Sequence, residues 1–247
     1  ALKAKVCENY TDLDGVYTTD PNLCPEARKL DRVSYDEMLE MASLGAKVMQ
    51  TVSMEYAKRF MVPLHIRTSF SDEPGTLIVK EDSRMEKQAV TGITYNKNEA
   101  KIAIRRVPDR PGIAARIFGP VAEANVVVDM IVQNVSADGY TDLTFTVMKN
   151  EYKQAMEVVK KVAKDVGAGE VEGNTSIAKV SMVGLGMRSH SGVASRMFDA
   201  LAKESINILM ISTSEIKISV VVDEKHGQQA VRTLHRAFSL HEKPKEE

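Results

Sequence analysis

Tryptophan is missing from this 247-residue chain, and aromatic residues make up only 5% of it. So few rings leave little surface on which nucleic-acid bases could stack. A net charge of −1 gives no basic field to draw a phosphate backbone. Nucleic acid is therefore not an expected partner. Cysteine is scarce as well. Cys7 and Cys24 form neither a CxxC pair nor a disulfide framework, and free thiols in a reducing cytoplasm are expected. No apolar run is long enough to span a membrane, and no signal peptide opens the chain. Walker, GxGxxG, HExxH and paired-cysteine motifs are lacking, and the five histidines are scattered. No metal site and no tightly bound cofactor are expected on that basis. Apolar residues, at 43%, are nonetheless plentiful enough to build real cores.

What the chain does have is a repeat. Arg110-Pro111-Gly112-Ile113-Ala114-Ala115-Arg116-Ile117-Phe118 returns 80 positions later as His190-Ser191-Gly192-Val193-Ala194-Ser195-Arg196-Met197-Phe198. A repeat fixes architecture before any single motif does. In the first copy, Lys101–Ile104 reads as a strand. Asp109-Arg110-Pro111-Gly112 opens a helix to about Ala124, with Asp109 as N-cap and Pro111 near the first turn. Val126–Val132 and Asp142–Met148 read as strands, Glu151–Asp165 as an amphipathic helix ended by Gly167, and Glu170–Glu172 as a last, weak strand. That order, β-α-β-β-α-β, is ferredoxin-like and α+β.

The second copy runs Lys179–Val183, Gly192–Lys203, Ile206–Ile211, Ile216–Val222 and Gly227–Phe238, then dissolves into a charged tail, so it is one strand short. Val90–Tyr95, just upstream of the first copy, is a spare strand. It is expected to complete the second unit, which places the first unit as an insertion within it. The expected division is 1–80, a linker at 81–89, a first unit at 99–173, a second at 90–98 with 174–240, and a disordered tail at 241–247. Upstream, Ser34-Tyr35-Asp36-Glu37 is a capping box leading a helix with Met38 and Met41 on its inner face. A second helix is expected over Val48–Phe60, and Leu64–Arg67 as a strand. The chain starts without methionine, directly in a strand-like run to Tyr10, and a longer parent polypeptide is expected.

Two readings stand side by side at the repeats. A glycine at a helix start lets a carboxylate approach free backbone N–H groups, Asp109 can hold an ammonium, and the amides of Gln133 and Asn134 both donate and accept. Together these suit a free amino acid. Alternatively, Asp109 is only a cap and Gln133-Asn134 only a polar strand end. In the second copy Ser189 replaces Asp109 and Thr213 replaces Gln133, so one copy is expected to keep the full set. The polar turns at Thr11–Pro21 can line a nucleotide pocket or simply form turns.

At this point the residues carry a resemblance. Thr11-Asp12-Leu13-Asp14-Gly15-Val16-Tyr17-Thr18-Thr19-Asp20-Pro21 closely resembles the ATP-site segment of the aspartokinase family. Ala27-Arg28-Lys29-Leu30, Leu44-Gly45-Ala46-Lys47, Thr68–Thr76, Val132-Gln133-Asn134-Val135-Ser136 and Ile211–Ile216 fit it too, over about Val6 to Leu240. The resemblance implies the C-terminal part of an amino-acid-kinase domain followed by two ACT domains. It implies phosphorylation of the β-carboxylate of L-aspartate by ATP with Mg, giving 4-phospho-L-aspartate for lysine, threonine and methionine synthesis. Thr11, Asp12, Tyr17 and Lys47 would line the nucleotide pocket. Asn22 stands where the family has an arginine. Lysine, threonine or both would act as feedback effectors at Asp109, Arg110, Pro111, Gly112, Ile113, Ala114, Val127, Val128, Asp129, Gln133, Val193, Ala194, Asn207 and Ser214, where ACT units of two chains meet in a homodimer or larger oligomer. The family's Lys-Phe-Gly-Gly-Thr phosphate loop does not occur in this sequence, and the catalytic residues are expected on the absent N-terminal kinase segment. The chain alone is then not expected to catalyse. The alternative is a non-catalytic regulatory subunit that binds amino acids, which would have no reason to keep Thr11–Pro21.

Overall fold

The computed structural model describes residues 5–46, 48–83, 85–134 and 138–243. Packing divides the chain into two compact bodies. One is Ala1–Asn96, Val180–Val222 and His226–Glu247; the other is Lys97–Lys179 with Asp223–Lys225.

In the first body, β1 (Cys7–Thr11), β2 (Arg32–Ser34), β3 (Leu64–Thr68) and β4 (Thr76–Val79) form a sheet in the order β1-β3-β4-β2. β1 runs parallel to β3 and β2 parallel to β4, while β3 and β4 are antiparallel. Helix α1 (Tyr35–Ser43) starts at the expected capping box: the Ser34 hydroxyl accepts from the Glu37 amide, and the Glu37 carboxylate accepts from the Ser34 amide. Its Met38 and Met41 join Val33, Met54, Ile66 and Ile78 in one buried cluster. Each such side chain contributes about 1.5–3 kcal/mol on burial. Helix α2 (Thr51–Arg59) begins three residues later than the expected Val48. Neither Val48 nor Met49 can cap free amides, and Gln50, the N-cap, makes no side-chain cap bond.

The same body holds β5 (Gly92–Asn96), β10 (Ile177–Val183) from Val180 on, β11 (Ile208–Thr213) and β12 (Lys217–Asp223) up to Val222, in a sheet ordered β11-β12-β10-β5. Helices α5 (Val193–Lys203) and α6 (Glu224–Ala237) complete the unit. The upstream strand thus takes the vacant edge, with the Thr91 amide donating to the Val183 carbonyl at 2.8 Å. Among the described residues, the chain after α6 does not return as a strand. Ser239 turns left-handed (φ 51°), and the Leu240 amide bonds back to the His235 carbonyl at 3.0 Å, closing the helix. Leu240 is buried. Residues 244–247 lie outside the described residues.

The second body contains β6 (Glu99–Pro108), α3 (Ile113–Glu123), β7 (Val128–Gln133), β8 (Tyr140–Met148), α4 (Tyr152–Val166) and β9 (Val171–Asn174). Its sheet order is β7-β8-β6-β9, antiparallel throughout, which is the ferredoxin-like arrangement. β7 lies at the edge; the central strands are β6 and β8. Phe145 is fully buried edge-on to Phe118, ring centroids 5.2 Å apart, and offers no stacking surface. The helix start differs from the expected one. α3 begins at Ile113, and its N-cap is Gly112 with φ 83°, so Asp109 does not cap and Pro111 lies outside the helix. A residue in the left-handed region cannot belong to a right-handed helix, and glycine is the residue that enters it at little cost. Gly192 repeats this with φ 83° before α5.

Candidate functional site

The nucleotide-facing candidates lie where β1 ends and the chain turns. Parallel β1 and β3 bring Thr11 and Thr68 to one end of the sheet, and ligands of open α/β sheets bind at the carboxyl ends of strands. The Thr11 hydroxyl donates to the Asp12 carboxylate at 2.8 Å, the Ser69 amide donates to the Thr11 carbonyl at 2.8 Å, and Asp12 is exposed. Tyr17 is half-buried and donates to Asp14 at 2.9 Å. Burial, with that bond to Asp14, pushes its phenol up to about 12, so it stays a neutral donor at physiological pH. Lys47 lies outside the described residues. Lys29, which sequence reasoning gave no role, reaches both Asp14 and Glu73 at 3.4 Å. A bridge between Tyr17 and Lys29 brings it there.

The ligand candidates of the first repeat separate into two groups along β7. Register pairs Pro108 with Tyr140 and Gln133 with Leu143, so the loop after β6 and the end of β7 share one end of the sheet. There Asp109, Arg110, Pro111 and Gly112 are exposed, as is Gln133. The Asp109 amide is fixed by the Gly139 carbonyl at 2.9 Å. Among the described residues, a Cβ built on Gly112 would meet nothing within 4 Å, so none of them blocks the approach to the first turn of α3. Ile113 is buried in the core, with its amide donating to the Arg110 carbonyl at 3.2 Å, and Ala114 is half-buried. Val127 and Val128 lie at the other end of β7, roughly 17 Å from Gln133 at about 3.3 Å per residue. One small amino acid cannot touch both groups within a single copy. Asp129 is not a free acceptor, because the Lys179 ammonium binds its carboxylate.

In the second repeat the pattern recurs. Val193 is buried and Ala194 half-buried at the start of α5. Asn207 precedes β11 and Ser214 follows it, so a whole strand separates them. Both are exposed, and the Ser214 amide is held by the Lys217 carbonyl at 2.8 Å. The edge strands carry exposed apolar side chains: Val127 is 66% and Ile131 53% exposed beside and on β7, and Ile211 is 43% exposed on β11.

Two buried polar centres were not anticipated. Lys179, 4% exposed, pairs with buried Glu99 at 2.5 Å and with Asp129. Burial works against its charge, but Glu99 and Asp129 outweigh that and hold the ammonium above its ordinary value. Glu99 and Lys179 are separated by the repeat interval, so aligning the two copies would have exposed the opposite charges. The other centre is Glu37. Beyond its capping bonds, its carboxylate accepts from the Thr91 hydroxyl at 2.6 Å and the Leu185 amide at 3.1 Å. No local pattern foretells that reach.

A strand-turn sheet with polar residues at its carboxyl end, followed by two glycine-led ferredoxin-like units, defines part of an amino-acid kinase joined to paired ACT domains. Family models agree: the amino acid kinase family matches residues 1–68, and the ACT domain matches 102–164 and 180–238. The chain belongs to the aspartokinase family. It is 59% identical to an aspartokinase of Pseudomonas aeruginosa over 97% of its length, and spans 59% of that relative. It is also similar to a solved structure of aspartokinase alpha and beta subunits (53% identity, TM-score 0.58), covering 61% of this chain and 99% of that one. The regulatory subunit of aspartate kinase from Thermus thermophilus is similar too, at 40% identity and TM-score 0.58, with 61% of this chain and 99% of that one covered. The chain therefore spans about three-fifths of the length of the curated relatives it matches.

Proposed function

We propose that the chain is the nucleotide-facing and amino-acid-sensing part of an aspartate kinase. In this reading the enzyme transfers the γ-phosphoryl group of ATP, bound with Mg, to the β-carboxylate of L-aspartate, and lysine and/or threonine act on it as feedback effectors. The transfer depends mostly on positioning and charge stabilisation. Thr11, Asp12 and the neutral Tyr17 phenol offer polar contacts to the nucleotide, and Lys47 carries the charge expected near phosphates. Such a role suits the cytoplasm, where ATP is made and spent.

The observation that carries the sensing role is the open start of α3. The first turn of α3, behind exposed Gly112, lies at the same sheet end as Asp109 and Gln133; the Ile113 amide there donates to the Arg110 carbonyl at 3.2 Å, which leaves the amides after it to a ligand. Amides there favour a carboxylate, and Asp109 with Gln133 suits an α-ammonium. Val127 and Val128, left at the far end of β7 with exposed apolar neighbours, are placed to meet a second copy, so the effector would sit between chains. Binding there biases an equilibrium of the kinase only as far as the effector prefers one state.

Calorimetry with L-lysine and L-threonine tests this. At least one should bind, and Gln133→Ala should weaken it roughly tenfold, about 1.4 kcal/mol. No heat from either removes the sensor. Ultracentrifugation should give a dimer or larger. A second reading, a regulatory subunit without catalysis, is favoured by the likeness to the Thermus regulatory subunit. Against it stand residues 1–68, which match the amino acid kinase family. ATP binding weakened by Asp12→Ala would decide for the kinase reading.

A further inference from the structure

His235 sits in the last turn of α6 with no exposed surface. Its Nε2 lies 2.9 Å from the Thr18 hydroxyl, which already accepts from the Arg28 amide at 3.0 Å. Its Nδ1 is buried and has no hydrogen-bond partner among the described residues. A buried ring nitrogen without a partner costs free energy unless something fills its place. Beside it is Cys24, a free thiol 1% exposed. The Cys24 amide bonds to the Asp20 carbonyl at 3.0 Å and its carbonyl accepts from the Ala27 amide at 2.9 Å, a tight turn that presents Glu26 on the same side. The Cys24 sulfur, a Glu26 carboxylate oxygen and a His235 ring nitrogen all lie within 4.8 Å of one another. No scan of the sequence for spaced ligands finds this trio, because it joins a turn near residue 24 to a helix end near residue 235.

We propose that Cys24, Glu26 and His235 form a binding site for a borderline-soft divalent cation of the zinc type. Sulfur, imidazole nitrogen and carboxylate oxygen are the donor types such an ion takes, with a water in the fourth tetrahedral position. If Nε2–H donates to Thr18, Nδ1 presents its lone pair, the arrangement in which an oxygen on one ring nitrogen orients the other toward a metal. A thiolate and a carboxylate bring two negative charges to match the ion, and the C-terminal end of α6 adds its partial negative charge. Glu26 is now held by Arg236 at 3.0 and 3.1 Å, so the ion must displace that guanidinium. Bound, it would clip the 20–27 turn to the end of α6.

The test is titration of the full chain with Co2+, then Zn2+ against a chromophoric chelator. One equivalent of Co2+ should give a thiolate charge-transfer band in the near ultraviolet, which Zn2+ displaces. Cys24→Ser and His235→Gln should each abolish the band, and Glu26→Gln should weaken affinity at least tenfold. Cys7→Ser should change nothing, since Cys7 is exposed and not part of the trio. Zn2+ should raise the melting temperature of the parent chain but not of Cys24→Ser, whose near-isosteric hydroxyl keeps the fold. Absence of the band, its survival in Cys24→Ser or His235→Gln, or its loss in Cys7→Ser overturns the proposal.

Discussion

Replacing Glu37 by alanine should be among the most damaging single changes in the first body. The side chain is 1% exposed. Its carboxylate accepts from the Ser34 amide at 3.1 Å, the Ser34 hydroxyl at 2.8 Å, the Thr91 hydroxyl at 2.6 Å and the Leu185 amide at 3.1 Å. The two hydroxyls can rotate toward other acceptors, but the two amides cannot. Each buried amide left unsatisfied costs about 1–3 kcal/mol, while the Ser34 hydroxyl can still accept from the residue-37 backbone amide. The two amides together cost about 2–6 kcal/mol, a large share of the roughly 5–15 kcal/mol that holds a domain folded. With a urea slope of about 2–3 kcal/mol/M, the unfolding midpoint should fall by about 1–2 M. Glu37→Gln keeps one oxygen for Thr91 and Leu185 but turns an NH2 toward the Ser34 amide, and should cost about 1–2 kcal/mol. Exposed Glu55→Ala is the control and should stay within about 0.5 kcal/mol. Urea melts followed by far-ultraviolet circular dichroism measure all three. A midpoint for Glu37→Ala within about 0.3 M of the parent, or equal losses for Ala and Gln, would refute the reasoning.

Three further outcomes are expected. Gly112→Ala should cost only about 1 kcal/mol for its left-handed backbone, since none of the described residues crowds it, while reducing effector binding; Gly75→Ala should prevent folding, because the new carbon would lie 1.6 Å from the Ile66 carbonyl oxygen. Soluble yield and calorimetry separate the two. Lys179→Met should destabilise by about 3–5 kcal/mol by leaving Glu99 buried without its cation, and adding Glu99→Met should recover most of that in thermal melts; failure to recover would show that the pair is not what matters. The Arg106 amide and then the Arg105 side chain hold the Asp142 carboxyl below its usual range. A depressed carboxylate stabilises above its unfolded pKa of about 3.9 and loses that contribution as pH falls through its lower folded value, so the gap in melting temperature between the parent and Asp142→Asn should close below about pH 4.

The parts of this protein that the sequence makes legible are those written in short-range code. The repeat at Gly112 and Gly192 announces two like units, and Ser34 with Glu37 announces a helix start. A charged tail after α6 leaves a strand position that only Val90–Tyr95 can fill. Each of these signals lies within a few residues, where backbone geometry or period decides the outcome. The helix start at Ile113 was missed by a few positions because Asp109 and Pro111 are both good first-turn residues. Only the left-handed φ of Gly112, 83°, settles where the helix begins.

What could not be read is the polar chemistry that crosses the fold. Glu37 meets Leu185, Lys179 meets Glu99, and His235 meets Thr18 and Cys24. A buried polar group must find a partner, but nothing in its own neighbourhood says which, because the partner is delivered by strand order. β5 and β10 are neighbours in one sheet although the whole first repeat lies between them in the chain. That insertion brings Thr91 and Leu185 to the same carboxylate. Had the missing strand been supplied by the tail instead, Thr91 would have had no reason to reach Glu37, and its 2.6 Å bond would not exist. The long-range polar contacts are thus a consequence of the borrowed strand, and a change that dislodges β5, such as proline at Ile93, whose amide donates to the Thr18 carbonyl at 2.7 Å, should release Glu37 and His235 from their partners together.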